Sequence, residues 1–500
     1  MPLITSLVPE ADPSLEILRD GEVWPDGRCV MLWVSRAKRA TANRTANLAI
    51  TIADRLQLPV VAVFALVPGY PSATLRSYHF MAEGLRELPA GFGRRGIGWV
   101  LRIGEPAEVI PALAAELDAA AVVTDQDPLR LGRRWRTDVS ARLRIPLIAV
   151  DTDTVAPPAL FLKEEWGAYT FRRKLWRAID DGDYLEPIPD PVARVQFDPS
   201  SFGTSPDPIA ALASLDLDRS VGPAPALRGG PAAARDRLDR FVSERLTTYH
   251  TERDRPDREG QSGLGPYLHF GQIGPHEVAR AVIDAKAAAL LPVGPASTAT
   301  HASEPGAPDA GPDAFLDELV TQRELAVNFA LRNPTYDGYG GLPDWGRKTL
   351  EEHRHDRRPV LYDRARLEAA ETADALWNAA QRQMVAEGTM PNRLRMYWAK
   401  QMLRWTSSPE EAFEITIGLN DRYFLCGRDA AGYANVAWAI GGRHDRPFPP
   451  NKPIFGLVRP MGMGAMRRRF DPEAYIALIE ERLGPAPRPT GPVQASLDIS

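Results

Sequence analysis

Between residues 28 and 152 the chain alternates short, continuous apolar runs with longer amphipathic stretches. The runs are CVMLWVS (29–35), VVAVFAL (60–66), IGWVLRI (97–103), AAVVTDQ (120–126) and PLIAVDT (146–152). Their length and continuity are those of strands buried on both faces of a parallel sheet. Intervening segments such as TANRTANLAITIADRLQ place their apolar residues at helical spacing. Strand–helix alternation predicts a doubly wound, Rossmann-like α/β domain, taken as residues 28–155. No G-x-G-x-x-G follows the first run, so the dinucleotide fingerprint is absent. A ligand of this domain would sit at the carboxyl edge of the sheet.

The pattern then changes. Residues 156–230 are read as an interdomain connection, rich from about 180 in Pro, Asp, Ser and Gly. Beyond 231, PAAARDRLDRFVSERLTTYHTERDR, FLDELVTQRELAVNFALR, ADALWNAAQRQMVAEG and LRMYWAKQMLRWTSSPEEAFEI read as helices, giving an all-helical second domain over 231–482. In SSPEEAFEI, Ser408 is the expected N-cap, Pro409 the first helical position, and acids fill the first turn. The Ala/Pro/Ser/Gly tract at 285–312 reads as a surface insertion and residues 483–500 as a flexible tail.

Composition narrows the classes. At 500 residues, two or three domains are expected, and 44% hydrophobic with 25% charged residues is ordinary for a soluble globular protein. No apolar run is long enough for a membrane span, and the N-terminus lacks the pattern of a signal peptide. The two cysteines, Cys29 and Cys426, suggest no disulfide framework and fit a cytoplasmic location. No metal is expected, since neither stands at ligand spacing from His or Cys. The net charge of −5 argues against general attraction to nucleic acid, but residues 443–469 carry a local positive surplus of six. That stretch is either a solvated basic loop or a phosphate-binding edge.

Five of the eleven tryptophans fall between 345 and 438. Trp398 and Trp405 are seven residues apart in one expected helix, two turns along nearly the same face. Spacing alone reads as a core stripe. The stretches SGLGPYLHFGQI, TQRELAVNF, DALWNAAQRQMV, RLRMYWAKQMLRWT, LNDRYFLCGRDAAGYANVAWAIGGRHD and KPIFGLVRPM, in that order, resemble the photolyase/cryptochrome family, most closely its class II cyclobutane pyrimidine dimer photolyases. WVSR, SYHFMAEGL and VVTD extend the resemblance more weakly into the N-terminal half.

That resemblance implies a U-shaped FAD inside the helical domain and a second, antenna chromophore of unspecified identity in the α/β domain. It implies that Ser262, Gly263 and Leu264 hold the flavin phosphates, that Tyr249 lines the pocket, and that Arg323 and Asn328 face the cofactor. Arg395 would lie over the flavin ring, Asn420 opposite its N5, and Asp429 in the same segment. Trp398, Trp377 and Trp405 would relay an electron to the photoexcited flavin. Glu318 would hold the dimer and steady its radical anion, Trp438 would pack on it, and Arg253 and Arg459 would flank the DNA opening. The implied activity is light-driven repair of pyrimidine dimers in UV-damaged DNA, the dimer being flipped into a pocket, by a protein expected to be monomeric.

The pattern is broken at three places beside the cofactor. Cys426 stands where class II members carry Asp, Pro391-Asn392 where they carry His-Gly, and Gly265 replaces a serine. Cys426 removes a partner for Arg395, leaving a shifted flavin potential or a different packing solution as its consequence. The alternatives to repair are a cryptochrome-like flavin photosensor, and a flavin-free helical protein that binds DNA or nucleotides and uses its tryptophans only as core.

Overall fold

The computed structural model describes residues 2–197, 205–289 and 310–486. Most of the expected insertion and of the tail lies outside them. A short strand, β1 (Leu15–Arg19), comes first. All five apolar runs then form strands: β2 (Cys29–Trp33), β3 (Val60–Leu66), β4 (Ile97–Ile103), β5 (Ala119–Asp125) and β6 (Leu147–Val150). The sheet order is β1-β6-β5-β2-β3-β4. The five are mutually parallel, whereas β1 is an antiparallel edge strand on β6, with Leu15 opposite Val150. β1 was not expected, because LEILR is short, mixed in charge and half exposed.

Period-two alternation explains why the runs are apolar throughout. Val30, Leu32, Ala62, Phe64 and Val123 enter one core with the helix Arg44–Leu56. Met31, Trp33, Val61, Val63 and Val122 enter another with residues from Pro106–Glu116 and Arg130–Arg142. The chain winds outward from β2 to β4, returns to β5 on the other side of β2, and so creates a switch point between β2 and β5.

The second half is helical, as expected. Ser408 caps Pro409–Tyr423 by accepting from the Glu411 N–H. The connection between the halves carries its own helix, Ala168–Asp181, which buries Phe171, Leu175, Trp176 and Ile179. Trp176 Nε1 donates to Thr321 Oγ1 at 3.2 Å, and Arg172 forks onto Asp317 at 2.7 and 2.9 Å. The two halves are further joined by Arg76, which donates to the carbonyls of Met384, Val385, Ala386 and Tyr423. Three of these belong to the last turn of the helix Ala375–Glu387, whose end carbonyls have no partner within the helix. Among the described residues, no helix is long and apolar enough to cross a membrane.

Candidate functional site

The helix Asn392–Trp405 runs through the largest core, and Trp398 is fully buried. Trp377, on the neighbouring helix, bridges the two indoles of the stripe. It stacks on Trp398 with centroids 6.3 Å apart and planes at 11°, and meets Trp405 edge-on at 5.4 Å. Both inner indole N–H groups are satisfied: Trp377 donates to the Trp398 carbonyl at 3.0 Å, and Trp398 to Gln381 Oε1 at 2.8 Å. Core packing and a continuous aromatic path are therefore the same arrangement.

At its inner end Trp398 meets Phe424 edge-on at 6.4 Å, and the Arg395 guanidinium lies 3.8 Å from the centre of that ring. Arg395 Nη2 donates to Asn420 Oδ1 at 2.6 Å, and Nη1 to Cys426 Sγ at 3.5 Å. Asn420 Nδ2 donates in turn to Asp421 Oδ1 at 2.8 Å, which fixes the orientation of the amide. Cys426 faces the loop 262–265: a Cβ at Gly265 would stand 3.8 Å from its own. Gly263 has φ +69°, a conformation that glycine adopts without strain, and any Cβ there would strike the Arg237 guanidinium. Arg237 Nε donates to the Ser262 carbonyl at 2.9 Å, while burial lowers its pKa. Leu264 is buried beneath this loop.

Ser262, Gly263, Leu264, Cys426, Arg395, Asn420 and Trp398 thus form one contiguous wall. Among the described residues, no carboxylate is within ion-pair distance of Arg237 or Arg395. Two half-buried guanidinium groups without acids, one beside a glycine turn and one beside an indole, suit a ligand with anionic phosphates and an aromatic ring. FAD has that composition.

Glu318 lies on a π-helical turn, Asp317–Gln322, between the helices Ala310–Leu316 and Arg323–Arg332. Such turns are concentrated at functional sites because the extra residue re-aims a side chain. Arg253 Nη1 donates to Glu318 Oε1 at 2.7 Å. Burial pushes the Glu318 pKa up, Arg253 opposes it, Asp317 and Asp254 add to it, and the net shift is upward. Arg253 also lies 5.9 Å from the Tyr249 ring, which packs on Phe241 and Phe315. Asp254 pairs with Arg393, at the start of the helix that carries Arg395, and so ties this pair to the wall above.

Trp438 is half-buried on Ala430–Gly441, with Lys400 Nζ 4.6 Å from its ring. Lys400 is buried, donates to the Ala439 carbonyl at 3.0 Å, and burial lowers its pKa to about 7. Arg459 is exposed, 4.8 Å from the Phe448 ring and 3.9 Å from Asp445. The end of the basic stretch, Arg467 to Arg469, lines a shallow groove together with Arg255, two residues from Arg253. The basic stretch and the Arg253–Glu318 pair therefore border the same region.

Three residues expected at the cofactor are engaged elsewhere. Arg323 pairs with Asp153 at 2.8 Å, and Asp153 also holds Arg36 at 2.7 Å. The Asn328 amide accepts from Glu165 N–H at 2.8 Å and donates to the carbonyls of Phe161 and Lys163. Asp429 caps Ala430–Gly441 and lies 3.6 Å from Arg36 and 3.9 Å from His269. Burial would raise its pKa, but His269, Arg36 and Arg323 hold it well below the usual carboxylate range. These contacts tie the helical half to the α/β half and to the connection. Five residues on a helix turn by about 140°, so Arg323 and Asn328 do not share a face.

Near this interface, a partly open cavity of about 130 Å³ lies at the carboxyl edge of the sheet. Residues after β2 (Arg36, Lys38), after β5 (Asp127, Arg136) and from the helical half (His269, Arg428) line it. Among the described residues, Arg136 Nε and Nη1 are buried there without a hydrogen-bond partner, and His269 Nδ1 faces Asp429 at 3.9 Å. The carboxyl edge was the place expected for a ligand of this domain, but the cavity's cationic lining was not expected. Sequence reasoning also missed Arg237, Phe424 and Lys400. RMYWAK carries Lys400 in plain view, but an isolated lysine gives no sign of burial.

Residues 30–192 match the family model for DNA photolyase. Over 476 residues, 94% of this chain and 84% of the relative, the chain is 34% identical to the deoxyribodipyrimidine photo-lyase of Potorous tridactylus. It is 36% identical over 484 residues, 94% and 91% respectively, to that of Oryza sativa subsp. japonica. Among solved structures, a bacterial class III photolyase from Agrobacterium tumefaciens superposes with a TM-score of 0.66 at 18% identity, over 92% of this chain and 88% of that one. A Synechocystis cryptochrome does so with 0.65 at 17%, over 91% and 89%. The fold agrees with both, the sequence agrees over nearly its whole length with the enzymes, and the chain therefore belongs to the DNA photolyase family.

Proposed function

We propose that this chain is a deoxyribodipyrimidine photolyase, a carbon–carbon lyase that uses light to repair cyclobutane pyrimidine dimers in UV-damaged DNA. The observation that carries the reading is the contiguous wall from Ser262 through Arg395 and Asn420 to Trp398, ending in three touching indoles. Bound there, FAD would supply light absorption and the electron that splits the dimer. Ser262 and Gly263 would seat its phosphates, aided by Arg237. Arg395 would place a fixed cation against the ring, and the braced Asn420 amide would offer a hydrogen bond without an acidic proton.

Trp398, Trp377 and Trp405 provide the path by which an electron enters from outside. Glu318, its carboxyl shifted upward and held by Arg253, would hydrogen-bond a flipped base, and Trp438 would stack on one. Arg459 and the 467–469 arginines would grip the phosphates. The cavity at the sheet edge would hold an antenna chromophore with an acidic group facing Arg136 and Lys38.

The test is a UV-irradiated plasmid incubated with the fully reduced flavoprotein in light and in darkness. Light-dependent loss of dimers supports the reading. Photoreduction of the flavin without any repair refutes it and favours a photosensor.

A further inference from the structure

We infer that Arg395 presents an uncompensated positive charge to the flavin in this chain, and that residue 426 sets the flavin's reduction potential through it. The inference rests on FAD occupying the wall described above. Among the described residues, no carboxylate stands among the guanidinium's hydrogen-bond and ring partners, which are Asn420 Oδ1 at 2.6 Å, Cys426 Sγ at 3.5 Å and the Phe424 ring at 3.8 Å. The carboxylate adjoining Asn420, Asp421, is committed elsewhere. It accepts from Asn420 Nδ2 at 2.8 Å, from the Arg428 N–H at 2.9 Å and from the Tyr433 hydroxyl at 3.1 Å. Other arginines around the site do have acids: Arg253 has Glu318, Arg393 has Asp254 and Arg323 has Asp153.

A thiol is a weak acceptor and leaves the charge of its partner intact. Oxidised flavin is neutral at the ring. Two electrons from an external reductant and one proton from water give a reduced ring that carries one negative charge. A fixed cation favours that anion over the neutral oxidised form, so it raises the potential. A carboxylate at 426 would meet Arg395 Nη1 where the sulfur now does, cancel most of that field and lower the potential.

The experiment is a spectroelectrochemical titration, with dithionite, of the FAD-loaded full chain in three forms: unchanged, Cys426→Asp and Cys426→Asn. Asn matches Asp in size without its charge. The expected result is a lower potential for Cys426→Asp, equivalent to about a tenfold change in the reduced-to-oxidised ratio, or ~30 mV for a two-electron couple. Cys426→Asn should stay within about twofold of the unchanged chain, since it adds no charge. Asp and Asn variants with equal potentials overturn the inference. So does an unchanged chain that matches Asp and lies below Asn, which would mean that a thiolate already supplies the negative charge. If Cys426→Asp does not fold, Arg395→Gln takes its place: removing the cation should lower the potential, and an unaltered value overturns the inference. A chain that retains no FAD at all sinks the proposed function with it, whereas flavin-loaded variants of equal potential sink this inference alone.

Discussion

Trp377→Phe separates core packing from the electron path proposed for the indole stripe. Trp377 is fully buried between Trp398 and Trp405. Phenylalanine keeps an aromatic ring there but loses the hydrogen bond to the Trp398 carbonyl, which costs about 1 kcal/mol. The smaller ring leaves a partial void worth a further ~1–2 kcal/mol. A total of roughly 2–3 kcal/mol lowers the melting temperature of a domain this size by roughly 5–10 °C and leaves it folded at room temperature. The effect on charge movement is larger. With Trp377 gone, the remaining route runs from Trp405 directly to Trp398, seven residues at 1.5 Å rise, or about 10 Å along the axis. The present steps are 5.4 and 6.3 Å between ring centres. Phenylalanine is also much harder to oxidise than indole. Blue-light bleaching of the oxidised flavin band, with a thiol as external reductant, should therefore fail in Trp377→Phe over an exposure that fully reduces the unchanged chain. The same variant, reduced chemically beforehand, should still repair dimers, because the proposed path would serve only the entry of the electron. Photoreduction at the unchanged rate would show that the three indoles are core and nothing more.

Glu318→Gln keeps the shape of the acid but loses its charge-assisted bond to Arg253, and light-dependent repair should fall about tenfold while flavin content stays constant. Replacing Arg467, Arg468 and Arg469 by Gln should reduce the salt dependence of DNA binding, by up to ~0.9 in log–log slope for each phosphate no longer neutralised. Undamaged and damaged DNA should be affected alike, because arginines on phosphates do not read bases. Glu324, buried between the two halves and accepting from the Val155 N–H at 2.6 Å, has its pKa pushed up to about 8 by burial. Its folded form holds the proton while the unfolded chain releases it near the ordinary value, so stability is full in acid and falls as pH rises from about 4.5 to about 8. Glu324→Gln should remove that decline, worth roughly 3 kcal/mol by pH 7, in urea unfolding curves taken across this range. Parallel pH profiles for the two forms would contradict the assignment.

The parallel sheet was legible because each of its strands is apolar on both faces, and a continuous run such as VVAVFAL needs apolar surroundings on both sides. β1 was not, since an edge strand with one open side needs no such run. The helix Ala168–Asp181 was hidden in a stretch read as connection. Its buried residues Phe171, Leu175, Trp176 and Ile179 have helical spacing, but the Pro-rich chain that follows masked it. At the site, the Trp398–Trp405 spacing predicted a shared face correctly, yet the residue between them comes from another helix. Only the resemblance brought Trp377 into the group. Arg323, Asn328 and Asp429 show the opposite limit. A polar residue on a buried helix must find a partner, but sequence does not say whether that partner is a ligand or a neighbouring domain. Here Asp153, residues 161–165, Arg36 and His269 supply it. Lys400 and the unpartnered nitrogens of Arg136 depend on burial by distant segments, which no local pattern encodes.

Whether the helical half holds an isoalloxazine ring against Arg395, Asn420 and Trp398 decides everything built on the site. The absorption spectrum of the purified full chain, recorded before and after blue light in the presence of a thiol reductant, tests it most directly. About one tightly held FAD per chain is expected, with loss of its oxidised bands on illumination. A colourless protein that fails to retain added FAD would contradict it.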